Sequence, residues 1–322
     1  VILAGDIGGT HTRLALFKNE IKIIERKFLS RNYPGLENII TEFLLIHKES
    51  ISTACFGVAG PVKEGKVKAT NLPWVVDASL LSQKLKIAAV FLLNDLEANT
   101  YGLKKLEKDQ LFLIQKGNPD QKGNQALISA GTGLGQAGLF WDGRVHHPFA
   151  CEGGHTDFAP RNELEVELFW YLKNQLEHVS YERVVSGPGL LSLYRFLIET
   201  KREKTPSSLK AAMEGNDPSS VISKWALENK DPGCVRALDW FVSLYGAEAG
   251  NLALKLLSLG GLYIGGGIAP HIKERLKNGP FLSSFADKGR FKEVLESIPI
   301  WVILNDDTAL LGAASYGEMM GK

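Results

Sequence analysis

The chain has 322 residues, 44% hydrophobic and 23% charged, a length that suits about two domains and an ordinary globular composition. Its 37 Lys and Arg stand against 36 Asp and Glu, so no basic surplus argues for nucleic acid or an anionic membrane as partner. The run Ile87 to Leu93 is too short to span a bilayer, the opening Val1-Ile2-Leu3-Ala4 carries no signal-peptide pattern, and the sparse Cys55, Cys151 and Cys234 fit a reducing cytoplasm.

In chain order, Leu3 to Phe17 reads as strand, glycine turn, strand. Gly8-Gly9 are expected to supply positive φ at the tip. The bare turn lets a ligand reach backbone N–H groups, and Thr10, Thr12 and Arg13 add donors, a pattern suited to phosphate. Asp6 is at odds with phosphates unless a cation lies between. Ile21 to Ser30 reads as a third strand. A helix follows from Gly35 to His47, with Leu36, Ile39, Ile40, Phe43 and Leu44 at helical spacing. Ile51 to Val58 is a buried-type strand ending in Gly57-Val58-Ala59-Gly60-Pro61. Asp77 caps a helix through Lys84. Ala88 to Leu93 is another buried strand, ending at Asn94-Asp95, with a helix from Leu96 to about Leu106.

The glycine hairpin then recurs at Leu127 to Phe140, around Gly131-Thr132-Gly133. Two such hairpins suggest a duplicated α/β fold with mixed sheets and a nucleotide between the halves; chance similarity is the plain alternative. Helices are expected between Glu163 and Glu177, after Ser186-Gly187-Pro188, and from Pro232 to Ser258. In the last, the small Gly246, Ala247, Ala249 and Gly250 suit packing on the sheet, and Gly260-Gly261 is expected to stop it. Lys201 to Asp217 reads as polar loops with a short helix. Leu262 to Ile264 and Ile300 to Leu304 read as strands, and a final helix starts at Asp307. No Gly/Ser linker marks a boundary. The motif order divides the chain into a small domain, 1–106 plus 305–322, and a large one, 107–304.

Several stretches carry chemistry. Asn94-Asp95 sits at the carboxyl end of a buried strand, where ligand sites in α/β sheets gather. Either residue can cap the next helix, or the carboxylate can take a proton from a hydroxyl. In His146 to Phe158, Glu152 and His155 flank two glycines in an expected loop, and their acceptor and donor groups suit vicinal sugar hydroxyls. Zinc on His146, His147, Cys151 and His155 is a rival, though the spacing matches no standard site. Glu182, read locally, is a surface charge or a partner of Arg183. Gly265-Gly266-Gly267 follows a strand and could let a base or ribose lie against the backbone. No Walker loop is present.

Taken as an ordered set, Asp6-Ile-Gly-Gly-Thr-His-Thr-Arg-Leu, Leu93-Asn94-Asp95, Gly131-Thr-Gly-Leu-Gly, Glu152-Gly-Gly-His-Thr-Asp-Phe, Glu182-Arg-Val-Val-Ser-Gly-Pro-Gly and Ile264-Gly-Gly-Gly-Ile-Ala-Pro resemble the bacterial glucokinases of the hexokinase/actin-like superfamily. The resemblance spans nearly the whole chain. It implies two ribonuclease-H-like domains with a cleft between them, and ATP:glucose 6-phosphotransfer with Mg²⁺. It implies Asp95 as base, and Asn94, Asp95, Glu152, His155 and Glu182 as sugar contacts. Asp6, Gly8, Gly9, Thr10, Gly131, Thr132 and Gly133 are implied on the phosphate side, with Asp6 able to face Mg²⁺ through water, and Gly265, Gly266 and Gly267 on the adenosine side. The related ROK kinases and repressors carry a cysteine-rich zinc site after their Glu-Gly-x-His motif. That cluster is missing here, so no structural zinc is expected. The implied partners are glucose and ATP, the implied assembly a homodimer. A kinase for mannose or fructose, a non-catalytic sugar-binding regulator and an actin- or chaperone-like ATPase are the alternatives.

Overall fold

The computed structural model describes residues 1–47, 49–118 and 120–321. The chain divides into two compact units.

The first unit comprises Val1–Gln110, Pro148–Ala150 and Asn305–Lys322. It begins with strands β1 (Ile2–Ile7), β2 (His11–Lys18) and β3 (Ile21–Leu29), followed by α1 (Leu36–Ile46) and β4 (Thr53–Val58). A two-stranded ribbon, β5 (Lys66–Lys68) and β6 (Val75–Asp77), leads into α2 (Ala78–Leu85), then β7 (Ala89–Asn94) and α3 (Asp95–Gly102). The sheet runs β3-β2-β1-β4-β7. β1 and β2 form an antiparallel hairpin, while β1, β4 and β7 are parallel. Period-two side chains bury both faces. Leu3, Ile7, Leu14, Leu16, Phe56 and Val58 pack with α1 and α2. The opposite face is built from smaller groups, Ala4, Ala15 and Cys55, against Ala98 of α3 and Leu310, Ala313 and Ala314 of the C-terminal helix Thr308–Met320. As expected from sequence, Asp77 caps α2 by accepting the Ser79 and Leu80 N–H groups.

The helix that carries Asp95 is held by close backbone approach. A Cβ at Gly312 would overlap the Ala98 carbonyl, and one at Gly102 the Thr308 carbonyl. Gly312→Ala is therefore expected to cost about 1–3 kcal/mol, the usual range for overpacking. Denaturant melting of the two proteins checks this, and an unchanged midpoint would contradict the packing described.

The second unit comprises Leu111–His147 and Cys151–Leu304. Its strands are β8 (Leu111–Gln115), β9 (Gln125–Ala130), β10 (Leu134–Trp141) and β11 (His146–Cys151), of which Pro148–Ala150 count with the first unit. Helices α4 (Glu163–Lys173), α5 (Gly187–Glu199), α6 (Ser207–Met213), α7 (Pro218–Leu227) and α8 (Pro232–Leu256) follow. The unit ends with β12 (Gly261–Gly265), α9 (Ala269–Asn278), α10 (Phe281–Ala286), α11 (Lys292–Glu296) and β13 (Ile300–Ile303); the C-terminal helix of the first unit is α12. The sheet order is β11-β10-β9-β12-β13-β8. Its first five positions repeat the connectivity of β3-β2-β1-β4-β7, so the duplication suggested by the two hairpins is present in the topology. β8 adds an antiparallel edge beside β13.

Several local expectations need correction. Neither Gly8 nor Gly9 takes a left-handed φ, nor do Gly131 and Gly133. These turns need glycine for room rather than for dihedral freedom: a Cβ at Gly9 would meet Asn71 at 3.1 Å, and one at Gly133 would meet Glu182 Oε2 at 2.5 Å. α8 ends on Leu257 in the left-handed region, φ 46°, before the glycines are reached. Gly246 and Gly250 lie against the α10 backbone at Phe281 and Phe285 rather than against the sheet. His146–Cys151 is a strand, and Gly153–His155, preceded by Glu152, is a short 3₁₀ turn, not an open loop. β8 and α7 were not anticipated; for α7, the Asp217-Pro218 start was the available signal. Among the described residues no helix is long and apolar enough to cross a membrane.

Candidate active site

In the first unit the parallel strands end in register, with Ile7 beside Val58 and Val58 beside Asn94. The Gly8–Thr10 turn, Ala59-Gly60 and Asn94-Asp95 therefore share the carboxyl edge of one sheet, where α/β proteins place ligands. Asn94 is the helix cap. Its Oδ1 accepts the Leu96 and Glu97 N–H groups at 2.9 and 3.3 Å, and its Nδ2 donates to the Gly60 carbonyl at 3.1 Å. Asp95 is the next residue, half-buried in the first turn of α3. The Leu96 N–H donates to its Oδ1 at 3.0 Å. Capping and presentation of a carboxylate are thus divided between neighbours, Asn94 fixing the turn on which Asp95 stands.

The Gly8–Thr10 turn is braced by Ser30. Its Oγ donates to the Gly8 carbonyl at 2.8 Å, its N–H to the Thr10 carbonyl at 3.1 Å, and its hydroxyl meets that of Thr12 at 3.0 Å. Thr12 is buried, so its hydroxyl supports the turn instead of facing outward; Thr10 is exposed. Arg13 is also committed elsewhere: it pairs with Glu25 and with Asp307 at the start of α12. Asp6 stands opposite Arg13 in the hairpin. Burial raises the Asp6 carboxyl above its ordinary range, against a smaller pull from Arg13. A cation at this edge would relieve that desolvation. Among the described residues, no group of three or more His, Cys, Asp and Glu side chains could hold a metal ion alone.

In the second unit a cavity of about 870 Å³ opens beside the β9–β10 turn. Gly131 and Thr132 line it, with the first turns of three helices: Gly187-Pro188 of α5, Ser219-Ser220 of α7 and Gly267-Ile268 before α9. The positive ends of helix dipoles favour anions at such positions, although the Gly187, Ser220 and Ile268 N–H groups already donate to the Gly131 carbonyl, the Asp217 carboxylate and the Ala130 carbonyl. Leu190, Leu191, Leu227 and Ile268 add an apolar wall, and the charged lining is Lys224 with the carboxylates Asp217 and Glu228. Of the glycines read as nucleotide-binding, Gly131 and Gly267 border the cavity, and a Cβ at either would meet no protein atom within 4 Å. Gly133 packs on Glu182, Gly265 lies buried within β12, and Gly266, at φ +83°, packs against the Ala130 carbonyl. The end of β9 is anchored by the fully buried Tyr245 of α8, whose hydroxyl accepts the Ala130 N–H at 3.2 Å.

The turn bearing Glu152 and His155 lies against β10. Cβ atoms at Gly153 and Gly154 would overlap the Gln136 side chain and the Leu134 carbonyl, which explains both glycines. Glu152 and His155 are exposed. The Tyr181 N–H donates to the Thr156 carbonyl at 3.0 Å, so Glu182 sits on the neighbouring turn. Its carboxylate accepts the Leu134 N–H at 3.0 Å, and among the described residues it forms no ion pair with Arg183. Beneath β10, Gln136 donates to the fully buried Glu248 at 2.7 Å, and Asn251 donates to the same carboxyl at 2.9 Å. Burial pushes the Glu248 carboxyl up. Ser30, Tyr245 and the Gln136–Glu248 pair were invisible in sequence, because each joins segments far apart in the chain.

A family model described as Glucokinase matches residues 3–320. The chain is 42% identical to a glucokinase of Nostoc punctiforme over 98% of both sequences. It is similar to the crystal structure of glucokinase from an Antarctic psychrotroph, with TM-score 0.83 and 30% identity over 99% of this chain and 98% of that one. It also shares its fold with a ROK family glucokinase from Streptomyces griseus in complex with glucose and AMPPNP, TM-score 0.67, 21% identity, over 99% of both chains. These solved structures belong to the two-domain, actin-like sugar kinases.

Proposed function

Because the chain belongs to the glucokinase family, we propose that it transfers the γ-phosphoryl group of ATP to the 6-hydroxyl of glucose. The observation that carries the chemistry is Asp95 at the carboxyl edge of the same sheet as the Gly8–Thr10 turn. In this reading the Asp95 carboxylate takes the proton of the 6-hydroxyl. The oxygen attacks the γ-phosphorus in line, the bond to the bridging oxygen breaks, and ADP leaves. Such transfer asks the protein mainly for positioning and for donors near the developing charge. Backbone N–H groups of Gly9, Thr10, Thr132 and Gly133 are the donors we assign, those of Gly8 and Gly131 being used within their turns, and the cavity beside Gly131 takes the nucleotide.

Magnesium enters with ATP as part of the substrate and neutralises phosphate charge. Asp6 is the carboxylate we assign to that side, through water, since a cation there offsets its burial. Asn94, Glu152, His155 and Glu182 are assigned to the sugar. Of these, Asn94 is buried and Glu182 half-buried, while Glu152 and His155 are exposed; polar groups that the wrong sugar leaves unpaired give discrimination. The free Cys55, Cys151 and Cys234 support a reducing cytoplasm as the place of action, and we assign a homodimer on the family reading; light scattering of the purified protein checks that mass.

Glu152→Gln and His155→Ala are each expected to weaken glucose binding about 10–100-fold, the worth of a hydrogen bond to a charged group, with MgADP binding unchanged by calorimetry. Loss of the nucleotide with retention of glucose would overturn the assignment of this turn.

A further inference from the structure

The segment Glu182 to Gly189 connects two parts of the second unit that the proposed reaction uses. At one end Glu182 Oε2 accepts the Leu134 N–H at 3.0 Å. At the other, the Gly187 N–H donates to the Gly131 carbonyl at 2.8 Å, and Gly187 and Pro188 line the cavity. Between them Ser186 Oγ donates to the Glu182 carbonyl at 2.7 Å and accepts the Gly189 N–H at 3.0 Å. The turn closes on itself through Gly131 N–H to the Gly133 carbonyl at 2.9 Å. Val184, Val185 and Ser186 are buried, so this ring of hydrogen bonds is seated in the core. Leu134 is 4% exposed; if its N–H lost the carboxylate, water would be a poor replacement, and an unsatisfied buried donor is costly.

We infer that Glu182 is a positioning residue for the nucleotide. Its carboxylate latches the Gly131–Gly133 turn in the shape that receives phosphates, in addition to serving the sugar. The inference rests on the reading of the cavity beside Gly131 as the nucleotide site. One side chain then belongs to both substrates, and disturbing it from either side changes the affinity for the other; such coupling is reciprocal. Gly133 completes the latch, because a Cβ there would stand 2.5 Å from Glu182 Oε2 and displace the carboxylate. Gly133 has no left-handed φ, so alanine is otherwise tolerated.

Calorimetry on the full chain tests this, with MgADP added to sugar-free protein and glucose added to nucleotide-free protein. Glu182→Ala is expected to lose about tenfold in MgADP affinity without glucose, the low end for a hydrogen bond to a charged group. Glu182→Gln keeps an oxygen that can accept the Leu134 N–H, so its MgADP affinity stays within about twofold of wild type while its glucose affinity falls. Gly133→Ala is expected to weaken glucose binding about fivefold in nucleotide-free protein, a readout that a purely phosphate-side role would not move. Gly133→Ala displaces the carboxylate from the Leu134 N–H as well, so it is expected to weaken MgADP binding about fivefold in sugar-free protein, and this result decides should Glu182→Ala not fold. Wild-type MgADP affinity in Glu182→Ala, equal losses in Glu182→Ala and Glu182→Gln, or unchanged glucose affinity in Gly133→Ala overturns the inference alone. A wild-type chain that takes no MgADP overturns the nucleotide reading and the inference with it.

Discussion

Asp95→Ala is expected to lower kcat by about 10²–10⁴-fold, the usual worth of a positioned general base, while glucose binding remains measurable by calorimetry. The expectation follows from how the two residues at the end of β7 share their work. Asn94 spends its side chain on the Leu96 and Glu97 N–H groups and on the Gly60 carbonyl, so the start of α3 survives loss of the Asp95 carboxylate. The helix is also held by its backbone contact with α12 at Gly102 and Gly312. The substitution therefore removes a proton acceptor from a site that stays built. A loss of glucose affinity with kcat unchanged would assign Asp95 to sugar binding alone. A kcat within about threefold of wild type would remove it from proton transfer altogether.

Gly131→Val is expected to leave folding intact and to weaken MgADP binding by at least about 100-fold, with glucose binding retained. A Cβ at Gly131 meets no protein atom within 4 Å, and Gly131 has no left-handed φ. The added atoms therefore fall in the cavity rather than in the core. Volume placed where a phosphate must approach the backbone excludes it, and a 100-fold loss is about 2.8 kcal/mol at 1.4 kcal/mol per tenfold. Gly266 gives the internal contrast. It has φ +83° and a would-be Cβ overlapping the Ala130 carbonyl, so Gly266→Ala is a folding defect and not a binding one. Thermal melting separates the two. A Gly131→Val protein that binds MgADP normally would move the nucleotide out of this cavity.

The sequence carried most of the architecture because its strongest signals are local. Apolar arms around Gly8-Gly9 and Gly131-Thr132-Gly133 announced two hairpins, and the structure places each at the head of a sheet with the same strand succession. Caps at Asp77, Asn94 and Ser186 were legible for the same reason: each acts within three residues of itself. The reason for the turn glycines was not legible. Room for Asn71 beside Gly9, and for Glu182 beside Gly133, depends on segments some fifty to sixty residues away, so local rules supplied a dihedral explanation that the backbone does not use. Short apolar runs such as Leu111–Gln115 have no period long enough to identify a strand. Tyr245 under Ala130 and Glu248 under Gln136 sit on one buried helix, where surrounding apolar residues mask two polar anchors.

The most direct measurement of the central claim is a coupled steady-state assay for sugar 6-phosphate, run with glucose, mannose and fructose against ATP, ADP and polyphosphate. The account predicts turnover with glucose and MgATP, and a kcat/KM for glucose well above those for the other two hexoses. No glucose 6-phosphate from glucose and MgATP, or a clear preference for another hexose, would contradict it.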